Sequence, residues 1–323
     1  MNRIIGHNLL VEQLKRQVHQ DAVSHAYLFT GIAGIGKKKL ALDFAKTILC
    51  QGQEPPCGHC PVCKQIDHGI YPDLQVISSE TSIKIAQVRE MISSLAVKPF
   101  SGEKRIIIID DAATMTVEAQ NSLLKSLEEP FFYNLFILLT QTPEGVLPTI
   151  RSRCQIYHFK PLKQVEVAEI LKRETEFSET EIADVISPAA GSVEKALYLL
   201  NQPDILQDRV SILRELYLLL KGDLQKIFTL SERLSSDKSK SQEMLEFLIR
   251  WFYEITLCKK GLALPDGQAP GKVHEAFQQI LKDEKIEAIN RTLFEMMDRM
   301  KYNINLNLQW EKTFIQIIKI QKG

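Results

Sequence analysis

An apolar run, Ala26–Thr30, leads into a glycine-rich stretch, Gly31 to Gly36, and then into apolar residues at helical spacing over Lys38–Leu49. The run predicts a buried strand, and recurrence at three and four positions predicts a helix behind it. Further strand-like runs lie at Asp73–Ile77, Arg105–Asp110, Asn134–Thr140 and Gln155–Phe159. Of these, Arg105–Asp110 holds Ile106-Ile107-Ile108-Ile109, apolar on both faces as the middle of a parallel sheet requires. Thr116–Glu129 reads as a helix with Ala119, Leu123, Leu124 and Leu127 on one face, ended by Pro130. Strands alternating with helices predict a doubly wound α/β domain over residues 1–160.

After Pro161 the strand pattern disappears. Val165–Arg173, Glu179–Ile186 and Val193–Leu200 read as short helices, a small second domain over 161–203. Longer amphipathic periods at Arg209–Leu220, Gln242–Leu257, Lys285–Tyr302 and Asn307–Ile320 predict an all-helical third domain over 204–323. Its one evident long loop is Gly261–Gly271.

Charge narrows the function. Lys+Arg and Asp+Glu each total 40, so no field of one sign dominates, and a protein gripping nucleic acid alone would more often be basic. The sequence has no long apolar segment near its start and no uninterrupted apolar stretch of spanning length, which predicts a soluble cytoplasmic protein. In that compartment the six cysteines are expected as thiols or metal ligands.

Three motifs carry chemistry. Gly31-Ile32-Ala33-Gly34-Ile35-Gly36-Lys37-Lys38 follows the phosphate-binding pattern G-x-x-x-x-G-K-[ST] until its last position. In that pattern backbone N–H groups cradle phosphates, the lysine reaches them, and a hydroxyl ligates Mg²⁺. Lys38 stands where the hydroxyl belongs, and an ammonium has only donors. Asp110 and Asp111 end the isoleucine strand, at the strand edge where α/β sheets bind ligands and where a carboxylate pair would support a metal and polarise water. Cys50, Cys57, Cys60 and Cys63 are spaced C-x6-C-x2-C-x2-C among prolines and glycines, the build of a closed structural zinc site; His59, between two of them, is an alternative ligand. Ser152-Arg153-Cys154 precedes the last strand, and composition alone makes Arg153 a solvated surface charge and Cys154 a small buried hydrophobe.

Together these residues resemble the bacterial replicative clamp loaders of the AAA+ class. The resemblance runs through His25-Ala26-Tyr27-Leu28-Phe29, the glycine loop, the cysteine module and Ile109-Asp110-Asp111-Ala112. It continues in Leu123-Leu124-Lys125-Ser126-Leu127-Glu128-Glu129-Pro130 and in Leu147-Pro148-Thr149-Ile150-Arg151-Ser152-Arg153-Cys154. It implies a RecA-like AAA+ domain with a zinc knuckle, a helical lid and a helical collar, the collar match resting weakly on Asn303–Leu308. Two subunit types share these features, the gamma/tau motor and delta-prime, and Lys38 implies delta-prime. By the resemblance, Arg153 is an arginine finger acting in trans on ATP held by a neighbouring motor. Gly31, Gly34, Gly36, Lys37, Lys38, Asp110 and Asp111 would form a vestigial nucleotide site, with Thr140 in the first sensor region. Lys195 falls where the second sensor usually has arginine. The implied partners are gamma/tau and delta, and through the assembly the sliding clamp and primer–template DNA; ATP is not expected to be bound productively. Two rivals are an active ATPase motor that tolerates Lys38 and a zinc-dependent nucleic-acid-binding module, the neutral charge arguing against the latter.

Overall fold

The computed structural model describes residues 4–79, 81–262, 272–302 and 304–322, in two compact units, 1–198 and 199–323. From residue 263 onward the Gly261–Gly271 loop lies outside the described residues, as does Asn303.

The first unit is built on a five-stranded parallel sheet in the order β2-β3-β4-β1-β5. Its strands are β1 (Ala26–Thr30), β2 (Leu74–Ile77), β3 (Arg105–Ile109), β4 (Asn134–Thr140) and β5 (Gln155–His158). Alternation sorts the side chains to two cores. Tyr27, Phe29, Ile106, Ile108, Leu135 and Ile137 point to one face, where α1 (Asn8–His19), α2 (Lys37–Leu49) and α3 (Pro61–Asp67) cover them. Ala26, Leu28, Ile107, Ile109, Phe136 and Leu138 point to the other, under α4 (Ile85–Leu95) and α5 (Val117–Glu128). Each fully buried isoleucine contributes about 1.5–3 kcal/mol relative to exposure. That is why the apolar run of β3 lies inside the sheet and not at its edge.

Local chemistry sets the element ends. Thr116 lies outside α5 and caps it, its hydroxyl accepting from Ala119 N at 3.3 Å. Asp73, expected in β2, precedes it: its buried carboxylate accepts from Phe100 N and Ser101 N, each at 2.7 Å, and ties down the turn before β3. After a short helix α6 (Pro148–Arg151) and β5, the unit closes with α7 (Gln164–Glu174), α8 (Glu179–Ala189) and the start of α9 (Val193–Leu200).

The second unit is helical among its described residues: α10 (Pro203–Leu220), α11 (Lys226–Leu234), α12 (Lys238–Lys259), α13 (Lys272–Ile280), α14 (Asp283–Arg299) and α15 (Leu306–Lys322). Trp310 is fully buried in its core and donates its indole N–H to Ser241 Oγ at 2.7 Å. Among the described residues no helix is long and apolar enough to cross a membrane.

Candidate functional site

Parallel register brings Thr30, Ile109 and Thr140 to the carboxyl edge of the sheet. The glycine loop leaves that edge and enters α2. Gly34 has φ +70°, and a Cβ there would stand 2.4 Å from Glu194 Cβ and from Ser192 Oγ. Its carbonyl accepts from Val193 N at 2.9 Å, so the loop is tied by backbone to the start of α9. Gly36, in open space, is required by its φ of +94° alone. Lys37 folds over the loop and donates from Nζ to Gly31 O at 2.6 Å and Ile32 O at 2.7 Å. Burial lowers its pKa, against the opposing pull of Asp111, Asp110 and Glu194.

Asp110 and Asp111 follow β3 directly. Asp111 has φ +57°, a left-handed conformation unusual for a residue with a side chain. Burial raises its carboxyl pKa, Asp110 raises it further, and Lys37 opposes both. Lys38 Nζ lies 2.9 Å from Asp110 Oδ2. A divalent cation in a loop of this kind uses the hydroxyl after the first lysine and leans on the acid at the strand end. Here an ammonium replaces the hydroxyl and pairs with that acid.

A cavity of about 670 Å³ opens beside this pair. The loop, Lys37, Lys38, Asp110, Asp111 and Thr140 contribute to its lining, joined by Ile4, Ile5 and His7 from the N-terminal segment, by Leu162 from the loop after β5, and by Ile170, Val193, Glu194 and Leu197 from α7 and α9. Thr140 is buried, and its hydroxyl donates to Thr142 O at 2.9 Å. Lys195 is half-buried and outside this lining, on the same helix as Glu194. Sequence reasoning missed His7, which donates from Nε2 to Ile35 O at 2.9 Å; its left-handed φ of 54° is not visible in composition.

The four cysteines converge between α2 and α3. Their sulfurs lie within 4.8 Å of one another, with Cys50–Cys60 at 3.9 Å and Cys57–Cys63 at 4.0 Å. Tetrahedral bonds of about 2.3 Å to one zinc ion place sulfurs about 3.8 Å apart. Backbone N–H groups of Gly52 and Cys57 donate to Cys50, that of Cys60 to Cys57 and that of Cys63 to Cys60, at 3.3–3.4 Å. Such donors stabilise thiolate charge. The set fits one metal ion and is closed without His59, whose Nδ1 donates to Cys57 O at 3.0 Å. Thiols alone ionise unevenly here. Burial opposes ionisation of Cys60, yet hydrogen bonds from Cys63 and Gln51 outweigh it and bring the group to about 6. Burial pushes Cys63 up to about 12.

Arg153 lies apart from the cavity lining, between α6 and β5. One terminal nitrogen donates to Thr149 O at 2.8 Å and to Ser152 Oγ at 3.4 Å; the other pairs with Glu128 Oε1 at 2.7 Å. Glu128 is the last residue of α5 and was not singled out from sequence. Cys154 packs against the core, and burial pushes its thiol up to about 12.

The profile of the family described as "DNA polymerase III, delta subunit" matches residues 6–163. The chain is 26% identical to the Bacillus subtilis DNA polymerase III subunit delta', over 97% of this chain and 96% of that protein. It is 28% identical to the delta' subunit of Pseudomonas aeruginosa, over 88% of each. The chain is similar to delta' subunits over nearly its whole length. It is also 32% identical over 64% of its length to the tau/gamma subunit of Haemophilus influenzae, of whose length it spans only 31%. The chain is thus similar to two kinds of DNA polymerase III subunit, and its cysteine cluster is a site that can hold a metal ion.

Proposed function

We propose that this chain is a delta-prime subunit and a stator, a non-hydrolysing member of a clamp loader that assembles with gamma/tau and delta subunits. The observation that carries this reading is the ammonium of Lys38 on Asp110 at 2.9 Å, which removes the metal-binding half of a phosphate-cleaving site. Residues 161–203 serve as lid and 204–323 as collar. The active chemistry belongs to a neighbouring motor, to whose ATP Arg153 supplies a cation in trans. Two features support this role. Arg153 lies outside its own chain's cavity lining, and its planar guanidinium has five N–H donors, enough to keep its contacts to Thr149 and Glu128 while offering others to phosphate oxygens. Loading of the sliding clamp onto primed DNA is work of the assembly, consistent with a chain of no net charge.

The metal held by Cys50, Cys57, Cys60 and Cys63 is zinc, which joins the end of α2 to the start of α3 as a cross-link. Lys37, Asp111, Thr140 and Lys195 remain from an ancestral nucleotide site without a hydrolytic task.

ATP turnover by the purified, metal-loaded chain alone tests the stator role. The expected result is no Mg²⁺-dependent hydrolysis above background. Steady hydrolysis abolished by Lys37→Ala would make the chain a motor.

A further inference from the structure

The nucleotide loop and its metal site disagree, and the disagreement is specific. The glycine loop, Lys37 and a cavity of nucleotide size are all in place. The metal's own contacts have changed hands: its hydroxyl ligand has become Lys38, and Asp110 is already paired with that lysine at 2.9 Å. The two changes are one. A divalent ion would have to share Asp110 with a fixed positive charge at its own position, where like charges repel. A phosphate group arriving without metal meets Lys37 and Lys38 instead, at the start of a helix whose first N–H groups have no side-chain cap. Apolar residues in the same cavity, Ile4, Ile5, Leu162, Ile170 and Leu197, provide a surface of the kind a purine base covers.

We infer that the side chain of Lys38 takes the place of the magnesium ion, so that this cavity binds a nucleoside di- or triphosphate independently of divalent cations. The inference deepens the stator reading and rests on it only in treating bound nucleotide as uncleaved. Lys38 neutralises phosphate charge as the ion would, but it coordinates no water for attack. Bound nucleotide would stabilise the fold, by an amount that grows with the logarithm of its concentration over its dissociation constant.

The test is equilibrium binding of ADP to the purified chain, by calorimetry and by thermal shift, in EDTA and in excess Mg²⁺. ADP is used because it has no γ-phosphate to lose, so the result does not depend on hydrolysis. The wild-type dissociation constant is expected to agree within about twofold in the two conditions. Lys38→Ser, which restores the hydroxyl, is expected to bind at least tenfold more tightly with Mg²⁺ than without. Asp110→Asn frees Lys38 from its partner and is expected to strengthen metal-free binding several-fold, whereas in a metal-dependent site it would weaken the Mg²⁺ form. The inference is overturned if the wild-type chain binds no ADP at millimolar concentration, or if Mg²⁺ tightens its binding tenfold or more. Either result can arise with the chain still inactive as an ATPase. Turnover by the chain alone would instead sink the stator reading, whatever the binding data show.

Discussion

Arg153 shows what composition can and cannot say about a single residue. Its ion pair with Glu128 is partly exposed on both sides, 35% and 47%, and a pair of that kind contributes under about 1 kcal/mol to stability. Arg153→Ala is therefore expected to leave the fold and melting temperature almost unchanged. In a reconstituted clamp loader the finger role proposed for it predicts that the same change lowers hydrolysis at the neighbouring motor site by roughly 10³-fold, the scale of arginine fingers. Arg153→Lys should recover only a small part, because an ammonium lacks the planar fork. Single-turnover phosphate release from the complex measures both, and unchanged release in an intact assembly removes the finger role. The candidates legible in sequence were those written as local spacing: the glycine loop, the paired aspartates, the cysteines and Ser-Arg-Cys. The partnership of Lys38 with Asp110 was not, since chain order says nothing about which acid at the sheet edge an ammonium will reach. Glu128 was missed for the same reason, being one acid in a pair with Glu129 until the fold turns Arg153 toward it.

Among the elements, the glycine loop is the one under most constraint. Gly34 combines a positive φ with side-chain and backbone atoms of the Ser192–Glu194 segment inside 3 Å of any added Cβ. Gly34→Ala is expected to cost about 1–3 kcal/mol and to loosen the hydrogen bond from Val193, whereas Gly36→Ala, with open space around it, incurs mainly the backbone term. Thermal denaturation of the two variants checks the order, and equal losses would mean that contact with α9 does not matter. The strands were legible because an apolar run buried on both sheet faces leaves little alternative. Helices α1, α3, α4, α6, α11 and α13 were not recognised. In α1 the fully buried set is only Val11 and Leu14, and in α4 only Val88, Met91 and Leu95, so their apolar stripes are narrow. Helix ends moved for a different reason. The residue that caps a helix, such as Thr116, belongs to its motif but not to its hydrogen-bonded turns.

As a whole molecule the chain has separate cores in its two units, a helical one in the second and the sheet's two in the first. Heating is expected to give two transitions instead of one. The cysteine cluster lies wholly in the first unit, so stripping the metal with a chelator should lower only that unit's transition. Metal analysis of the untreated protein should give about one zinc per chain. A single transition, or a chelator shift shared equally by both, would contradict this division. The strand order has a consequence in time. β1 sits between β4 and β5, the last two strands to be made, and Thr30 pairs with Thr140. At bacterial synthesis rates of roughly 5–20 residues per second, Tyr27, Leu28 and Phe29 emerge many seconds before either neighbour exists. During that wait the first core is an unpaired apolar strand, open to association with other nascent chains. Slower translation anywhere between α2 and β4 lengthens the exposure, so losses of soluble yield will originate in the first unit, before a single helix of the second has been made.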